Sequence, residues 1–505
     1  MKNFYRLAQA FLDEGNHMMQ RIAGVLNILG FIILIFTSLM LFPIAISWCL
    51  DDQAIWSFIV GMVAAGIIGL AMWGCTRKAS LGKELRNRDG FLLSALTWMV
   101  LPAIATIPLM LSIPGLSFTD AYFETMSGLT TTGATTISNL DQLPGSINVW
   151  RAFLVWLGGM GVVVLAVAVL PMLGVGGSQA FKAETPGPMK DAKLTPRIAQ
   201  TAKGLWLVYV LITSACTFSL WAVGMPFLDS LIHTFSIMGL GGFSSHDASF
   251  GFFDSAAMEA VAVVFMLLAS INFSTHFLAF SGRSLKAYAK DNEAHMVWYV
   301  MIGSVILVAY FLWMHGVYPD FLTALRHSAF NVVSIATTTG LATQDYNLWP
   351  AFAPVLMIFL SCFATAAGST GGGIKMIRAQ LLIKHCFSEL HRLVHPKSPM
   401  VVKLNGAVYE PSVLDSILAF LFLYGASIIV CTLLMLASGC DVVTALSAVV
   451  ASINNMGPGL NLVGPATTFA VLTDFQTWIC TLAMLLGRLE LFTMVIIFTP
   501  YFWRS

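Results

Sequence analysis

A short pattern of threonines and glycines occurs four times in this chain. The four copies are Thr130-Thr131-Thr132-Gly133, Leu240-Gly241-Gly242, Thr337-Thr338-Thr339-Gly340 and Asn454-Asn455-Met456-Gly457. Their last glycines lie 109, 98 and 117 residues apart, each after a half-apolar stretch and before a long apolar one. Because glycine adopts backbone conformations that other residues avoid, such a segment can turn several carbonyl oxygens to one side. Four of these segments around one axis would replace the hydration shell of a cation, so the pattern predicts an ion pathway.

The pattern also has a plainer explanation, because small residues allow membrane helices to pack closely. That explanation suffices for a single copy, but here four copies stand at matched positions. Asp120 and Asp229 both lie 13 residues before the glycine, and Glu124 and His233 both lie nine before it, where polar support of the segment is expected. The residues predicted to contact the ion are Thr131, Thr132, Gly133, Gly241, Gly242, Thr338, Thr339, Gly340, Asn455, Met456 and Gly457.

The composition indicates a membrane protein with several spans. The chain has 505 residues, of which 57% are hydrophobic and 10% charged, whereas soluble proteins have about 25% charged residues. Its eight cysteines are scattered without metal-ligand spacing, so they are expected to be apolar filler. The net charge of +1 gives no indication of a nucleic-acid partner.

The apolar runs predict ten spans that flank the repeated pattern. The predicted spans are 23–49, 54–76, 90–113, 150–174, 201–224, 256–281, 295–316, 350–382, 412–437 and 470–500. Each glycine copy ends a segment of 10–16 residues, which is too short to cross a hydrocarbon layer of about 30 Å. We therefore expect four re-entrant half-helices, each with an extended return that lines a wet cavity. The predicted fold is all-helical, with an N-terminal two-helix domain and four pore repeats, at residues 1–88, 89–196, 197–290, 291–405 and 406–505.

The basic residues predict the orientation of these spans. With the N-terminus in the cytoplasm, all but three of the 26 Lys and Arg lie on the cytoplasmic side, the exceptions being Arg151, Arg326 and Arg488. Both termini are then cytoplasmic, and all four re-entrant segments enter from the outer face. Repeats with one membrane direction are parallel repeats, as in channels, and differ from the inverted repeats of many secondary transporters.

Residues 366–373 interrupt the eighth predicted span halfway along its length. Most of them are glycine or another small residue, and each glycine costs a helix about 1 kcal/mol relative to alanine. The segment is therefore predicted to be a loop below the glycine segments that gates the pathway, through Gly368, Gly371, Gly372 and Gly373. The alternative is close packing of a continuous helix through these glycines.

Arg488 lies midway along the last predicted span. An arginine inside a membrane is costly and usually faces a protein interior or water. We expect it to line the pathway beneath the glycine segments, and the alternative is a structural ion pair. Glu490 points elsewhere on the helix and is available to pair with another span.

These motifs together resemble the Trk/Ktr/HKT superfamily of potassium transporters, and most closely its TrkH/TrkG branch of bacterial potassium-uptake subunits. Further motifs shared with that branch are Gly368-Ser369-Thr370-Gly371-Gly372-Gly373-Ile374-Lys375 and Gly487-Arg488-Leu489-Glu490. The resemblance implies four pseudo-symmetric helix–pore loop–helix units around one pore in the bacterial inner membrane, with K+ as the transported ion and no organic cofactor. It also implies a homodimer in the lipid bilayer and a cytoplasmic nucleotide-binding regulatory subunit like TrkA, with no nucleic-acid partner.

The same resemblance bears on selectivity. Glycine at all four filter positions, Gly133, Gly242, Gly340 and Gly457, goes with potassium in this superfamily. Because segments two and four have fewer threonine hydroxyls, we expect only a modest preference for potassium over sodium. The residues leave passive, proton-coupled and nucleotide-gated uptake open. They favour neither an organic-solute carrier, which would need inverted repeats, nor an enzyme, since no HExxH or GxSxG motif occurs.

Overall fold

Helices form most of the described chain in a computed structural model that covers residues 2–80, 87–161, 198–396, 402–404 and 407–503. Six of the described helices are long and apolar enough to cross a membrane, and two bent helix pairs would each add one span. The six are Gln20–Leu50, Ile55–Arg77, Arg88–Ser112, Ala202–Ala222, Asn292–Met314 and Pro411–Ala437. The prediction of a helical protein with several membrane spans is confirmed.

The first two spans form an antiparallel pair in which glycines permit close contact. Helix Lys2–Leu39 packs along helix Ile55–Ser80. A Cβ atom on Gly30 would lie 2.7 Å from the backbone nitrogen of Trp73, and one on Gly69 would lie 3.1 Å from the carbonyl oxygen of Gly30. Real Cβ atoms do not come as close as 2.7 Å, so the helices touch through their backbones at this crossing.

Four units with the same order of elements follow this pair. Each begins with a long helix, and these are Asn87–Ser112, Ile198–Ala222, Asn292–Met314 and Pro411–Ala437. Each continues with a short helix, and these are Phe118–Leu129, Phe227–Gly239, Phe321–Ala336 and Val442–Ile453, numbered one to four below. The glycine segments 130–133, 240–242, 337–340 and 454–457 come directly after the short helices and keep the same numbers.

The helices that follow the glycine segments differ between the units. In the first unit the helix Gly145–Gly159 is described, and residues 162–174 of that predicted span lie outside the described residues. The third unit has two helices, Phe352–Ser361 and Met376–Val394, so the predicted interruption is present and extends over residues 362–375. We call residues 362–375 the intramembrane loop.

Two spans predicted as continuous are sharply bent. Helices Ala256–Ala269 and Phe273–Ser281 meet at 92°, and helices Asp474–Arg488 and Phe492–Phe498 meet at 109°. At the first bend the side chain of Asn272 accepts a hydrogen bond from the next helix at 2.8 Å. At the second bend Glu490 and Leu491 have φ angles of 54° and 55°, which an α-helix cannot contain.

A small β-hairpin is present in the described part of this otherwise helical fold. Strands Val402–Leu404 and Ala407–Tyr409 pair antiparallel. The predicted boundary between residues 405 and 406 lies outside the described residues, and the boundary between 88 and 89 falls just inside helix Asn87–Ser112. The boundary between residues 196 and 197 lies outside the described part of the chain, and the five predicted domains stay predictions.

The glycine crossing of the N-terminal pair leads to a test of packing. In Gly30→Leu the new side chain would enter the backbone of the neighbouring helix, so we expect a loss of roughly 1–3 kcal/mol in stability. Thermal unfolding of the purified protein in detergent measures this loss. Gly74→Leu on the same pair is the control, because a Cβ atom there meets nothing within 4 Å. An equal shift in both variants would contradict the packing assigned to Gly30.

Candidate functional site

All four short helices end with the same backbone geometry. In each, an N–H group at the glycine segment bonds the carbonyl oxygen five residues earlier: Thr132 to Ser127 at 2.8 Å, Gly241 to Ser236 at 2.9 Å, Thr339 to Ser334 at 2.7 Å and Met456 to Ala451 at 2.8 Å. The residue two positions before the last glycine is left-handed each time, with φ of 59° at Thr131, 54° at Leu240, 64° at Thr338 and 52° at Asn455. Glycine usually occupies that position in a helix end. A threonine there stores about 1–3 kcal/mol of strain, which surrounding contacts must hold.

The four glycine segments meet in a closed ring. A Cβ atom on Gly133 would run into the backbone of Gly242, and one on Gly242 would lie 2.7 Å from the carbonyl carbon of Gly340. Continuing around the ring, a Cβ atom on Gly340 would strike the carbonyl oxygen of Met456, and one on Gly457 would lie 2.9 Å from the carbonyl oxygen of Thr132. The structure therefore brings the predicted ion-contacting residues together, and no side chain fits at the four glycines.

The ring presents oxygen atoms and negative helix ends. A Cβ atom on Gly242 would lie 2.9 Å from the carbonyl oxygen of Thr339, and one on Gly241 would lie 2.9 Å from that of Thr131. The C-terminal ends of the four short helices, which carry partial negative charge, also lead directly into the ring. Such a surface attracts cations and offers the oxygen ligands that replace water around them.

Polar side chains nine residues before the glycines hold the chain where it leaves the ring. The Glu124 carboxylate accepts hydrogen bonds from Thr135 and Thr136 at 3.0 Å, and His233 bonds Ser244 at 2.9 Å. Asn331 does the same in the third unit, with 2.9 Å to Thr343. The support predicted for Glu124 and His233 is thus seen in the structure. Asn331 was missed, although its identical offset from the glycine would have revealed it.

Two further groups complete this support. Glu124 forms an ion pair of 2.7 Å with Arg151, and both side chains are almost fully buried. The fourth unit has Ala448 at the matched position, and there the neighbouring Ser447 accepts a bond from Leu460 N–H at 2.9 Å. Each unit therefore fixes its return by a different polar side chain.

The intramembrane loop lies against one side of the ring, called the inner side here. The Thr370 hydroxyl donates to the carbonyl oxygen of Met238, at the end of short helix two, at 3.0 Å. The Gly372 N–H donates to the Thr338 hydroxyl at 2.9 Å, and a Cβ atom on Gly372 would collide with the carbonyl oxygen of Asn454. The loop thus touches units two, three and four directly.

The other three predicted gate glycines are packed just as closely. A Cβ atom on Gly371 would lie 3.0 Å from the carbonyl oxygen of Thr337. Gly368 and Gly373 have φ angles of 76° and 77°, and Cβ atoms there would meet Asn272 and Cys362 at 2.7 and 2.6 Å. A side chain at Gly371 would therefore press against the ring, whereas one at Gly368 or Gly373 would distort the loop itself.

Arg488 connects the first unit to this loop. Its guanidinium donates to the Thr131 hydroxyl at 3.3 Å, to the Thr370 carbonyl oxygen at 3.3 Å and to the carbonyl oxygen of Gly158. Glu490 instead pairs with Arg378 at 2.7 Å. Arg488 therefore lies on the inner side of the ring, between a glycine segment and the intramembrane loop.

Acidic residues mark the outer side, where the short helices begin. Asp320 and Asp441 cap short helices three and four, and hydrogen bonds from Thr323 and Thr444 hold the pKa of both carboxyls below the ordinary value. Both are therefore anionic at neutral pH and give the outer side a negative potential for cations.

A histidine contact joins units one and two on this side. The His246 Nδ1 atom contacts Asp141, and Nε2 lies 3.4 Å from Asp229. Burial lowers the pKa of His246, but hydrogen bonds with Asp229 and Asp141 outweigh this and raise it above its ordinary value. His246 is thus paired with two carboxylates, one from each unit.

The sequence matches a known protein family over most of its length. The profile of the family described as TrkH, cation transport protein, covers residues 55–504. The chain belongs to the TrkH family. The Trk system potassium uptake protein TrkH of Salmonella typhimurium is 44% identical over 483 residues, which cover 95% of this chain and 99% of that protein. TrkG of Escherichia coli, with the same description, is 38% identical over 482 residues, covering 95% and 98%.

The fold has a solved counterpart in the same family. The crystal structure of the potassium transporter TrkH from Vibrio parahaemolyticus covers 96% of this chain and all of that chain, with 40% sequence identity and a TM-score of 0.86. The resemblance to the TrkH/TrkG branch is confirmed. The TrkH family consists of transporters, which agrees with the prediction that the chain is not an enzyme.

The position of Arg488 leads to a test of its role. In Arg488→Gln a charge near the ring is lost, and its Coulomb repulsion of a cation could be of the order of several kcal/mol. We expect rubidium and sodium fluxes per molecule in liposomes to rise, with normal abundance in the membrane. Arg392→Gln, on an exposed part of helix Met376–Val394, is the matched control. Low abundance without any gain in flux would favour a structural role, because the carbonyl oxygens of Gly158 and Thr370 would lose their charged donor.

Proposed function

We propose that this TrkH-family protein takes up potassium through the ring of four glycine segments, which acts as the selectivity filter. The observation that carries the proposal is the closed ring, in which backbone approaches backbone at Gly133, Gly242, Gly340 and Gly457. Rings of carbonyl oxygens are how channels replace the water around a dehydrated cation. The relatives from Salmonella typhimurium and Escherichia coli are described as potassium uptake proteins, which supports potassium as the ion.

The four units of this filter are not equivalent. In segment one the hydroxyls of Thr130 and Thr132 bond each other at 2.8 Å, and the pair Thr337 and Thr339 of segment three repeats this at 2.7 Å. Segment two has Leu240 at its left-handed position, and in segment four the Asn455 amide donates to Thr132 at 3.0 Å. Because hydroxyl ligands are missing on two sides, the proposal includes only a modest preference for potassium over sodium.

The intramembrane loop is the gate in this proposal. Its contacts with Met238, Thr338 and Asn454 put it directly against the filter, and Arg488 adds a positive charge on the same side. Potassium that passes the ring would meet both, so conduction requires the loop to move. The movement would be controlled from the cytoplasm by a nucleotide-binding subunit like TrkA.

The remaining parts of the proposal concern assembly and location. We propose that the protein is a homodimer in the bacterial inner membrane, with both termini in the cytoplasm. The bias of the Lys and Arg residues supports this orientation. Names that refer to a Trk system, as those of the relatives do, support a role as one component of a larger assembly.

Serine at a filter glycine tests selectivity. In Gly340→Ser the new Cβ atom would strike the carbonyl oxygen of Met456, so that ligand must move. We expect the ratio of potassium to sodium uptake to fall by about tenfold, which corresponds to a change of only about 1.4 kcal/mol in relative binding. Rubidium flux into liposomes with sodium as competitor measures the ratio.

The control for Gly340→Ser separates the effect of the contact with Met456 from the effect of backbone strain at a positive φ angle. Gly115 has a φ of 81°, close to the 83° of Gly340, but a Cβ atom there meets nothing within 4 Å. Gly115→Ser should therefore keep the selectivity of the unchanged protein. If Gly340→Ser, at normal abundance, also keeps its selectivity, the ring is not the filter.

Shortening the intramembrane loop tests the gate. Deletion of Gly371-Gly372-Gly373 would remove the bond to Thr338 and the contacts with Thr337 and Asn454. We expect rubidium flux per molecule to rise and to depend less on the cytoplasmic subunit. Fluxes at or below those of the unchanged protein, in a variant with normal thermal stability, would show that the loop does not block the pathway.

A further inference from the structure

One buried carboxylate binds both the intramembrane loop and the first turn of the helix that follows it. Glu293 lies in the first turn of the long helix Asn292–Met314 and is only 6% exposed. Its Oε1 atom accepts hydrogen bonds from the backbone N–H groups of Ala367, at 2.9 Å, and Ile377, at 3.0 Å. Ten residues separate these two amides along the chain, yet they share a single oxygen atom.

One of these bonds caps the helix that follows the loop. Ile377 is the second residue of helix Met376–Val394, and the N-cap residue Lys375 makes no side-chain capping bond. The first N–H groups of a helix have no partner within it and must find one elsewhere. A carboxylate is the most favourable partner at this positive helix end. Glu293 therefore caps this helix from a separate helix.

The carboxylate complements contacts within the loop itself. The neck of the loop is closed by backbone bonds from Ile374 to Cys362 at 2.5 Å and from Met376 to Thr365 at 2.8 Å. The ammonium group of Lys375, the last residue of the loop, donates to the carbonyl oxygen of Gly371. These bonds hold the conformation of the loop, whereas Glu293 connects the loop to a membrane-spanning helix that is not part of it.

We propose that Glu293 is a positioning residue that holds the intramembrane loop against the ring. This inference rests on the proposed function of the loop as a gate. With Glu293 in place, Thr370 and Gly372 anchor the loop to the ring, and the bonds of this carboxylate to Ala367 and Ile377 anchor it to helix Asn292–Met314. For the loop to leave the ring, the bonds at both anchors must break, or their partners must move together with the loop.

The positions of these bonds predict that loss of Glu293 raises the flux. A buried N–H group without an acceptor loses its hydrogen bond and is not compensated for its removal from water. Without the carboxylate, two buried N–H groups lose their acceptor in the conformation described here, but water in an opened pathway can satisfy them. Losing these bonds shifts an equilibrium between blocked and open conformations by about tenfold or more.

The test compares variants of Glu293 in the full-length protein. Glu293→Ala removes the acceptor, whereas Glu293→Gln keeps an oxygen that can accept both bonds. Glu389→Ala removes a partly exposed carboxylate from helix Met376–Val394 and is the matched control. Rubidium flux per molecule into liposomes without a cytoplasmic subunit is measured beside membrane abundance and thermal unfolding.

We expect flux to rise by about tenfold in Glu293→Ala, to stay near that of the unchanged protein in Glu293→Gln, and to be unaffected in Glu389→Ala.

If Glu293→Ala does not accumulate, Glu293→Asp replaces it, because the shorter carboxylate cannot reach both amides and should give an intermediate rise. Unchanged flux in the folded Ala or Asp variant would overturn the role of Glu293. If the loop deletion also leaves flux unchanged, the gate itself is wrong. A rise in the deletion alone would contradict only the positioning role.

Discussion

The close approach of four backbone segments is the constraint on which the rest of this structure depends. At Gly133, Gly242 and Gly340 there is no space for a Cβ atom, because the next segment already occupies it. Each short helix must therefore end at the ring and turn sharply. The left-handed residue before the glycine makes that turn, and in two units it is a strained threonine. The strain is tolerated because the polar contacts around the ring hold the backbone in place.

Because no side chain fits between the segments, the ring is held from outside. Units one to three have a carboxylate, an imidazole and an amide at the same position, namely Glu124, His233 and Asn331. Each of these groups forms a hydrogen bond with the chain that leaves the ring. The Glu124 carboxylate is buried and needs a positive partner, which Arg151 supplies. Removing either member would leave the other charge buried and alone, so this pair determines whether unit one can keep its shape.

Local patterns in the sequence predicted much of this arrangement, and long-range contacts account for the rest. The four glycine copies, the short helices and the interrupted span leave repeated or compositional signals. The bends near Asn272 and Glu490 were missed, because each bent pair is apolar enough overall to be taken for one continuous span. Glu293 was missed for a similar reason. A glutamate in the first turn of a helix is ordinary, and its partners lie 74 and 84 residues away.

The two sides of the ring differ in how closely they approach fourfold symmetry. On the outer side every unit contributes a short helix and a polar support, so the arrangement approaches fourfold symmetry. On the inner side the units differ, since unit three supplies the loop and unit four supplies Arg488. Unit two supplies the bend, where the carbonyl oxygen of Ser270 accepts a bond from Ala366 at 2.9 Å and Phe273 donates to Gly368 at 3.0 Å. Oxygen ligands around an ion need near symmetry, whereas a movable barrier needs only one copy. The four repeats can therefore keep their common role in the ring while their second helices diverge.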